Sequence, residues 1–193
     1  MWTDILLSVV FFACLASTVA GGLWNNAVML VNIMFSILVA IHYFEPLAGW
    51  LTGQWKDYGH YWDFAALWLI FAITMAVLRT ATDQISKVKV RFRRPVEIIG
   101  GILFSSLISW TMVGFTTVAM HTAPLSQNFL RGTFQETPQS RMFWGRAPDR
   151  SLLAFVQYLS AGSYSKMKPN PFDPQKQFIL KYGWRRAENE ARK

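Results

Sequence analysis

Four apolar runs separated by short polar or aromatic connections are followed by a polar tail punctuated by proline, and this alternation predicts helices that cross a bilayer. The first run, residues 5–20, is short against the roughly 20 residues a span needs, but Trp2 and Trp24 extend it as interfacial anchors. Thr18 and Ala20 stand where a signal peptidase would look for small residues. The start carries Asp4 and no Lys or Arg, however, so a retained helix is expected. Gly21 and Gly22 break that helix, and Asn25 and Asn26 open a second one predicted over about 27–44.

From Glu45 to Trp62 the spacing predicts a loop or a short surface helix. It holds Pro46, Gly49, Gly53 and Gly59 together with Trp50, Trp55, Tyr58, Tyr61 and Trp62, an interfacial aromatic belt. The third span is predicted over about 63–81 and the fourth over about 98–120, joined by a basic loop. In the tail, residues 149–161 place Leu152, Phe155, Val156 and Leu159 on one stripe. A second amphipathic helix begins with Asp173 as cap and Pro174 in its first turn, and buries Phe178, Ile179 and Tyr182. The predicted fold is all-α: a four-helix transmembrane bundle over residues 1–124, then a polar, basic extramembrane tail over 125–193 with short amphipathic helices.

Composition sharpens this picture. The 193 residues are 52% hydrophobic and 16% charged, which is unusual for a soluble domain. Of the 19 Lys and Arg, 12 lie from His121 onward, so the charge is concentrated in the tail. The net charge of +8 comes without any nucleic-acid motif, and the basic residues flank apolar runs; lipid headgroups are the expected partner, not nucleic acid. Cys14 is the one cysteine, so no intrachain disulfide forms.

Small residues recur every fourth position in three runs: Ala13, Ser17 and Gly21 in the first, Ala72, Ala76 and Thr80 in the third, Gly101, Ser105 and Ser109 in the fourth. Lipid tails are as apolar as Leu, so close backbone approach and dispersion must hold helices together, and such stripes permit it, within one chain or between copies. Asn32, Ser36 and Arg79 are the polar groups inside or at the end of spans. The first two read as interhelical hydrogen-bonding groups, and Arg79 as one that snorkels or pairs with Asp83 one turn on.

Catalytic chemistry has little support. The chain holds no Gly-rich phosphate loop, nucleophile elbow or paired-carboxylate motif, and Cys14 is embedded in an apolar run that keeps its thiol inert. His42, His60 and His121 fall on one side of the predicted topology with Glu45, Asp57 and Asp63, a set that suits a metal or a pH response. Their spacing is loose, and plain interfacial histidines are the preferred reading. No enzyme activity, cofactor or metal is therefore expected. The alternative function is a small oligomeric transporter or channel subunit, for which Asn32, Ser36 and Arg79 would line the path.

Orientation follows from the loops. Arg79 to Glu97 holds six basic residues, with Lys87, Lys89, Arg91, Arg93 and Arg94 closely spaced, against two acidic ones. Glu45 to Asp63 holds one Lys against three acids, so the basic loop is expected in the cytoplasm and both termini outside. The tail's own charge lies too far from the fourth span to weigh equally.

Asp4 before an apolar helix, the segment GGLWNNAVMLVNIMFSILVAIHYFEPLAGWL, a third helix ending LRTATDQISK and a fourth opened by PVEIIGGILFSSLISW together resemble the colicin V production protein (CvpA) family, over about residues 1–124. The resemblance implies a multi-pass bacterial inner-membrane protein linked to colicin V production and envelope homeostasis, without an established enzymatic activity. It leaves homo-oligomers or other envelope proteins as expected partners. Some relatives fuse this unit to a periplasmic protease, which agrees with an extracytoplasmic C-terminus. The chain departs from the family pattern at Leu23 to Asn26, where Arg is common, and at Ser105, Ser106 and Ser109, where glycines recur.

Overall fold

The computed structural model describes residues 2–55, 59–85, 92–125, 146–161, 172–173, 175 and 177–191. Its elements are helical: α1 (Trp2–Thr18), a 3-10 turn (Val19–Gly21), α2 (Gly22–Gln54), α3 (Gly59–Ile85), α4 (Arg94–Thr122), α5 (Pro148–Ala161) and α6 (Phe178–Ala191). Three helical stretches are long and apolar enough to cross a membrane: 2–54, which joins α1 and α2, then 61–85 and 94–122.

The largest difference from the sequence reading lies in α2. The pattern predicts a helix ending near Phe44 and a loop to Trp62, whereas α2 runs through Pro46 to Gln54 and α3 starts at Gly59. Pro46 lacks the N–H that would bond the carbonyl of His42, and Gly49 and Gly53 disfavour helix. Packing overrides both: Phe44 and Ala48 are fully or almost fully buried on the same stripe as Ile33, Ile37, Ala40 and Ile41. The aromatic belt becomes the tip of a helical hairpin. Trp55 and Trp62 stack at 5.7 Å, and the Trp62 indole donates to the Trp55 carbonyl at 3.3 Å.

The contacts set the topology. Asn32 meets Thr82 and Ser36 meets Met75, so α2 and α3 are antiparallel. Trp68 and Phe71 of α3 pack on Phe115 of α4. Leu7 of α1 packs on Val113, while the Gly21–Gly22 elbow reaches Glu97 and Gly101 at the other end of α4. The start of α1, the α2–α3 tip and the end of α4 therefore share one end of the bundle; the elbow, Ile85 and Arg94 share the other.

The tail helices close over the first of these ends. Leu152 and Val156 of α5, with Phe178 and Tyr182 of α6, belong to the same buried cluster as Ile37, Phe44, Leu67 and Phe115. Gly114 lets α5 lie close against α4, since a Cβ there would stand 3.0 Å from the carbonyl oxygen of Pro148. The predicted α5 stripe is observed, with Leu152 and Val156 buried and Phe155 and Leu159 half-buried. The second tail helix starts later than the pattern predicts, at Phe178 and not directly after Asp173; the Asp173 carboxylate still closes its start from a distance, accepting from the backbone N–H groups of Gln177 at 2.7 Å and Phe178 at 2.8 Å. Pro174 lies outside the described residues.

Candidate functional site

The polar groups inside the structure gather at three joints. The first is the elbow between α1 and α2. Gly22 adopts φ 75°, a left-handed conformation that glycine tolerates without penalty. A Cβ on Gly22 would collide with the Glu97 carboxylate, which accepts the Leu23 N–H at 3.2 Å through Oε1 and the Phe92 N–H at 3.1 Å through Oε2. Glu97 thus ties the start of α2 to the chain entering α4, and its negative charge suits the α2 N-terminus.

One turn further along α2, Asn26 is fully buried and donates to the Ser105 hydroxyl at 2.9 Å and the Gly101 carbonyl at 3.2 Å. Its Oδ1 accepts no hydrogen bond among the described residues. A Cβ on Gly21 would stand 2.6 Å from that oxygen, so the Asn26 side chain depends on the glycine pair. Gly101, in turn, faces the backbone of Gly22, where its missing side chain permits close approach.

The second joint fixes α5 to the end of α4. His121 Nε2 and Asp149 Oδ2 lie 3.1 Å apart, with only 1% and 4% of their side-chain surface exposed. His121 is in the last turn of α4 and Asp149 in the first turn of α5, so each helix end favours the charge its residue carries in an ion pair.

The third joint docks α6 on the α2–α3 hairpin. Lys181 pairs with Glu45 at 2.6 Å and Arg185 with Asp63 at 2.7 Å. Between them Tyr182 is buried beside Phe44 and Phe178. Burial, then the Asp63 and Glu45 carboxylates, push its phenol well above the ordinary tyrosine range.

The residues singled out by pattern fall into separate places. Gly101, Ser105 and Ser109 are buried along the α4 seam. Ala13, Ser17, Gly21, Ala72 and Ala76 are exposed on α1, the elbow and α3, with the Ser17 hydroxyl bonded to the Cys14 carbonyl. Asn32 is buried and donates to Thr82 Oγ1 at 2.9 Å; Ser36 donates back to the Asn32 carbonyl at 2.8 Å. Arg79 pairs with Asp83 at 2.9 Å. Arg93 and Arg94 are exposed, and Lys87, Lys89 and Arg91 lie outside the described residues.

Of the histidines, His42 is exposed and packs edge-on against Tyr43, His121 is the buried partner of Asp149, and the side chain of His60 is outside the described set, as is Asp57. No group of three or more His, Cys, Asp or Glu among the described residues could hold a metal ion.

The pairing of Asn26 with Ser105, the clamp by Glu97 and the His121–Asp149 contact were not predicted. Their traces in the sequence were a glycine pair just before an Asn, a lone acid after a run of bases, and a His that ends an apolar run.

Apolar helices that turn their largest exposed side chains, such as Ile98, Ile99 and Leu103, outward while keeping polar groups at internal joints define a multi-pass integral membrane protein. The chain belongs to the colicin V production protein family, whose model matches residues 3–143. No curated protein and no solved structure matches it.

Proposed function

We propose that this chain is a non-enzymatic inner-membrane factor that supports production of a colicin V-type toxin and upkeep of the bacterial envelope, with both termini extracytoplasmic. The family match carries the reading. The geometry favours a scaffold, because Asn26, Asn32, Ser36 and Ser105 are engaged in holding helices together. The orientation rests on the sequence cluster of basic residues from Lys87 to Arg94, of which Arg93 and Arg94 lie at the opposite end of the bundle from α5 and α6. Deleting the gene in a toxin-producing host should abolish secreted toxin, and the wild-type gene should restore it. Undiminished toxin in the deletion strain would reject the role.

A second reading is favoured by the outward-facing Ala13 and Ser17 on α1 and Ala72 and Ala76 on α3: a homo-oligomer in the bilayer, which the transporter or channel alternative requires. Purified protein in liposomes that moves no ion or solute counts against transport.

A further inference from the structure

We propose that α1 is a hinged arm: it pivots about Gly21 and Gly22 and parts from α4 within the bilayer, while α2, α3 and α4 hold their places. The base of the hinge is fixed on the α2 side. Leu23 lies over Gly100, the Gly22 backbone rests on Gly101, Asn26 is pinned to Ser105 and to the Gly101 carbonyl, and Glu97 accepts the Leu23 N–H. On the α1 side of Gly22 the chain passes into the 3-10 turn Val19–Gly21, whose three residues are all exposed. A short 3-10 stretch between long helices is where a hinge is commonly built.

The arm is lightly held. Of the described residues of α1, Leu7 and Thr18 alone are buried, and the hydroxyls of Ser17 and Thr18 bond back to Cys14 and Leu15 of their own helix. Leu7, Val10 and Phe11 meet Val113 and Trp110 in a small cluster of their own, separate from the core that joins α2 to α6. Lipid tails can replace such apolar contacts at little cost, because no hydrophobic force drives helices together in a bilayer.

The closed position also carries a penalty. Asn26 is fully buried, its Oδ1 accepts no hydrogen bond among the described residues, and Gly21 sits against that oxygen. A buried acceptor without a donor has lost its hydration and gained nothing in return. When α1 swings out, Gly21 leaves with it, and water reaches Oδ1 while both bonds from Nδ2 stay in place. The exposed Arg93 and Arg94, which open α4 beside the elbow, set this end of the bundle at the wet headgroup layer.

The inference needs only that the bundle sits in a bilayer; it is independent of the toxin-production reading and of which end faces the cytoplasm. The test is double electron–electron resonance on the full-length protein in lipid nanodiscs, in a Cys14→Ser background. Spin labels at Val9→Cys on α1 and Ile73→Cys on α3, both exposed positions, report the arm; labels at Val31→Cys on α2 and Ile73→Cys report the base. The arm pair should show a second, displaced population beside the main distance, and the base pair a single distance. Gly21→Ala should raise the displaced population at least about threefold, because its Cβ would stand 2.6 Å from an Oδ1 that the Asn26 hydrogen bonds hold in place. Gly53→Ala, where a Cβ meets nothing within 4 Å, should leave it unchanged. A single arm distance that Gly21→Ala does not alter, an equal effect of Gly53→Ala, or a base pair that broadens in step with the arm pair would each overturn the proposal.

Discussion

His121 at the end of α4 and Asp149 at the start of α5 meet at 3.1 Å, both sealed from solvent and 28 positions apart in the chain. The contact fastens the tail to the bundle where α4 leaves its last apolar turn. Removing one member of a buried pair strands the other, at a cost of about 3–5 kcal/mol. Asp149→Ala should therefore lower the melting temperature in detergent and expose α5 to protease. Tyr158→Ala, at an exposed position on the same helix, should do neither. A melting temperature unchanged by Asp149→Ala would mean that the pair does not secure the tail.

The α4 seam makes a sharper contrast between neighbours. Ser105 is fully buried and accepts from Asn26, whereas the adjacent Ser106 is only half-buried and its hydroxyl bonds its own helix, at the Ile102 carbonyl. Ser105→Leu forces a large side chain between α2 and α4 and removes the Asn26 contact, which together should cost about 1–3 kcal/mol. Ser106→Leu should be near neutral. Equal losses from the two, measured by unfolding in mixed micelles, would remove the seam as a packing determinant.

Docking of α6 pits ion pairs against aromatic burial. The Lys181–Glu45 pair is about half exposed at each partner, and such pairs contribute roughly 0.2–1 kcal/mol. Phe178 is almost wholly buried against Phe44, and truncating a buried Phe costs about 3–5 kcal/mol. Phe178→Ala should release α6, seen as faster amide exchange over 178–191, while Lys181→Ala changes it little and high salt does not undock the helix. The reverse ranking would make the ion pairs the principal restraint.

Tyr182 supplies a pH dependence with a definite sign. Its folded pKa is raised above the ordinary value near 10, so the stability it contributes is complete below about pH 10 and falls as the pH climbs above that, where the undocked phenol ionises and the docked one does not. Alkaline titration followed by tyrosinate absorbance should show one tyrosine fewer ionising in the wild type than predicted from content until α6 undocks. Tyr182→Phe should remove the alkaline destabilisation, and its persistence in that variant would assign the effect elsewhere.

Orientation is tested by reporters. Alkaline phosphatase fused after Lys193 should be active, and a reporter placed within residues 86–91 should behave as cytoplasmic; the opposite pair of results would invert the protein in the membrane.

By itself the sequence determined the membrane class, the all-helical fold and the family, because these depend on local properties: long apolar runs, glycine breaks and charge flanking each run. It also placed α5 and the buried Phe178 and Tyr182 of α6, since amphipathic period is read within a dozen residues, but it started α6 at Asp173 where the helix begins at Phe178. The tertiary structure decided what periodicity does not carry. The extension of α2 through Pro46 to Gln54 is won by burial of Phe44 and Ala48 against distant residues, and local helix propensity argues the other way. Which small-residue stripe turns inward was likewise undecided by spacing: Gly101 and Ser105 face α2 because Gly22 and Asn26 meet them there, and Ser109 is buried one turn on, while the equally spaced Ala72 and Ala76 face outward. A hydrogen bond such as that from Asn26 to Ser105, across 79 positions, exists only once the chain has folded.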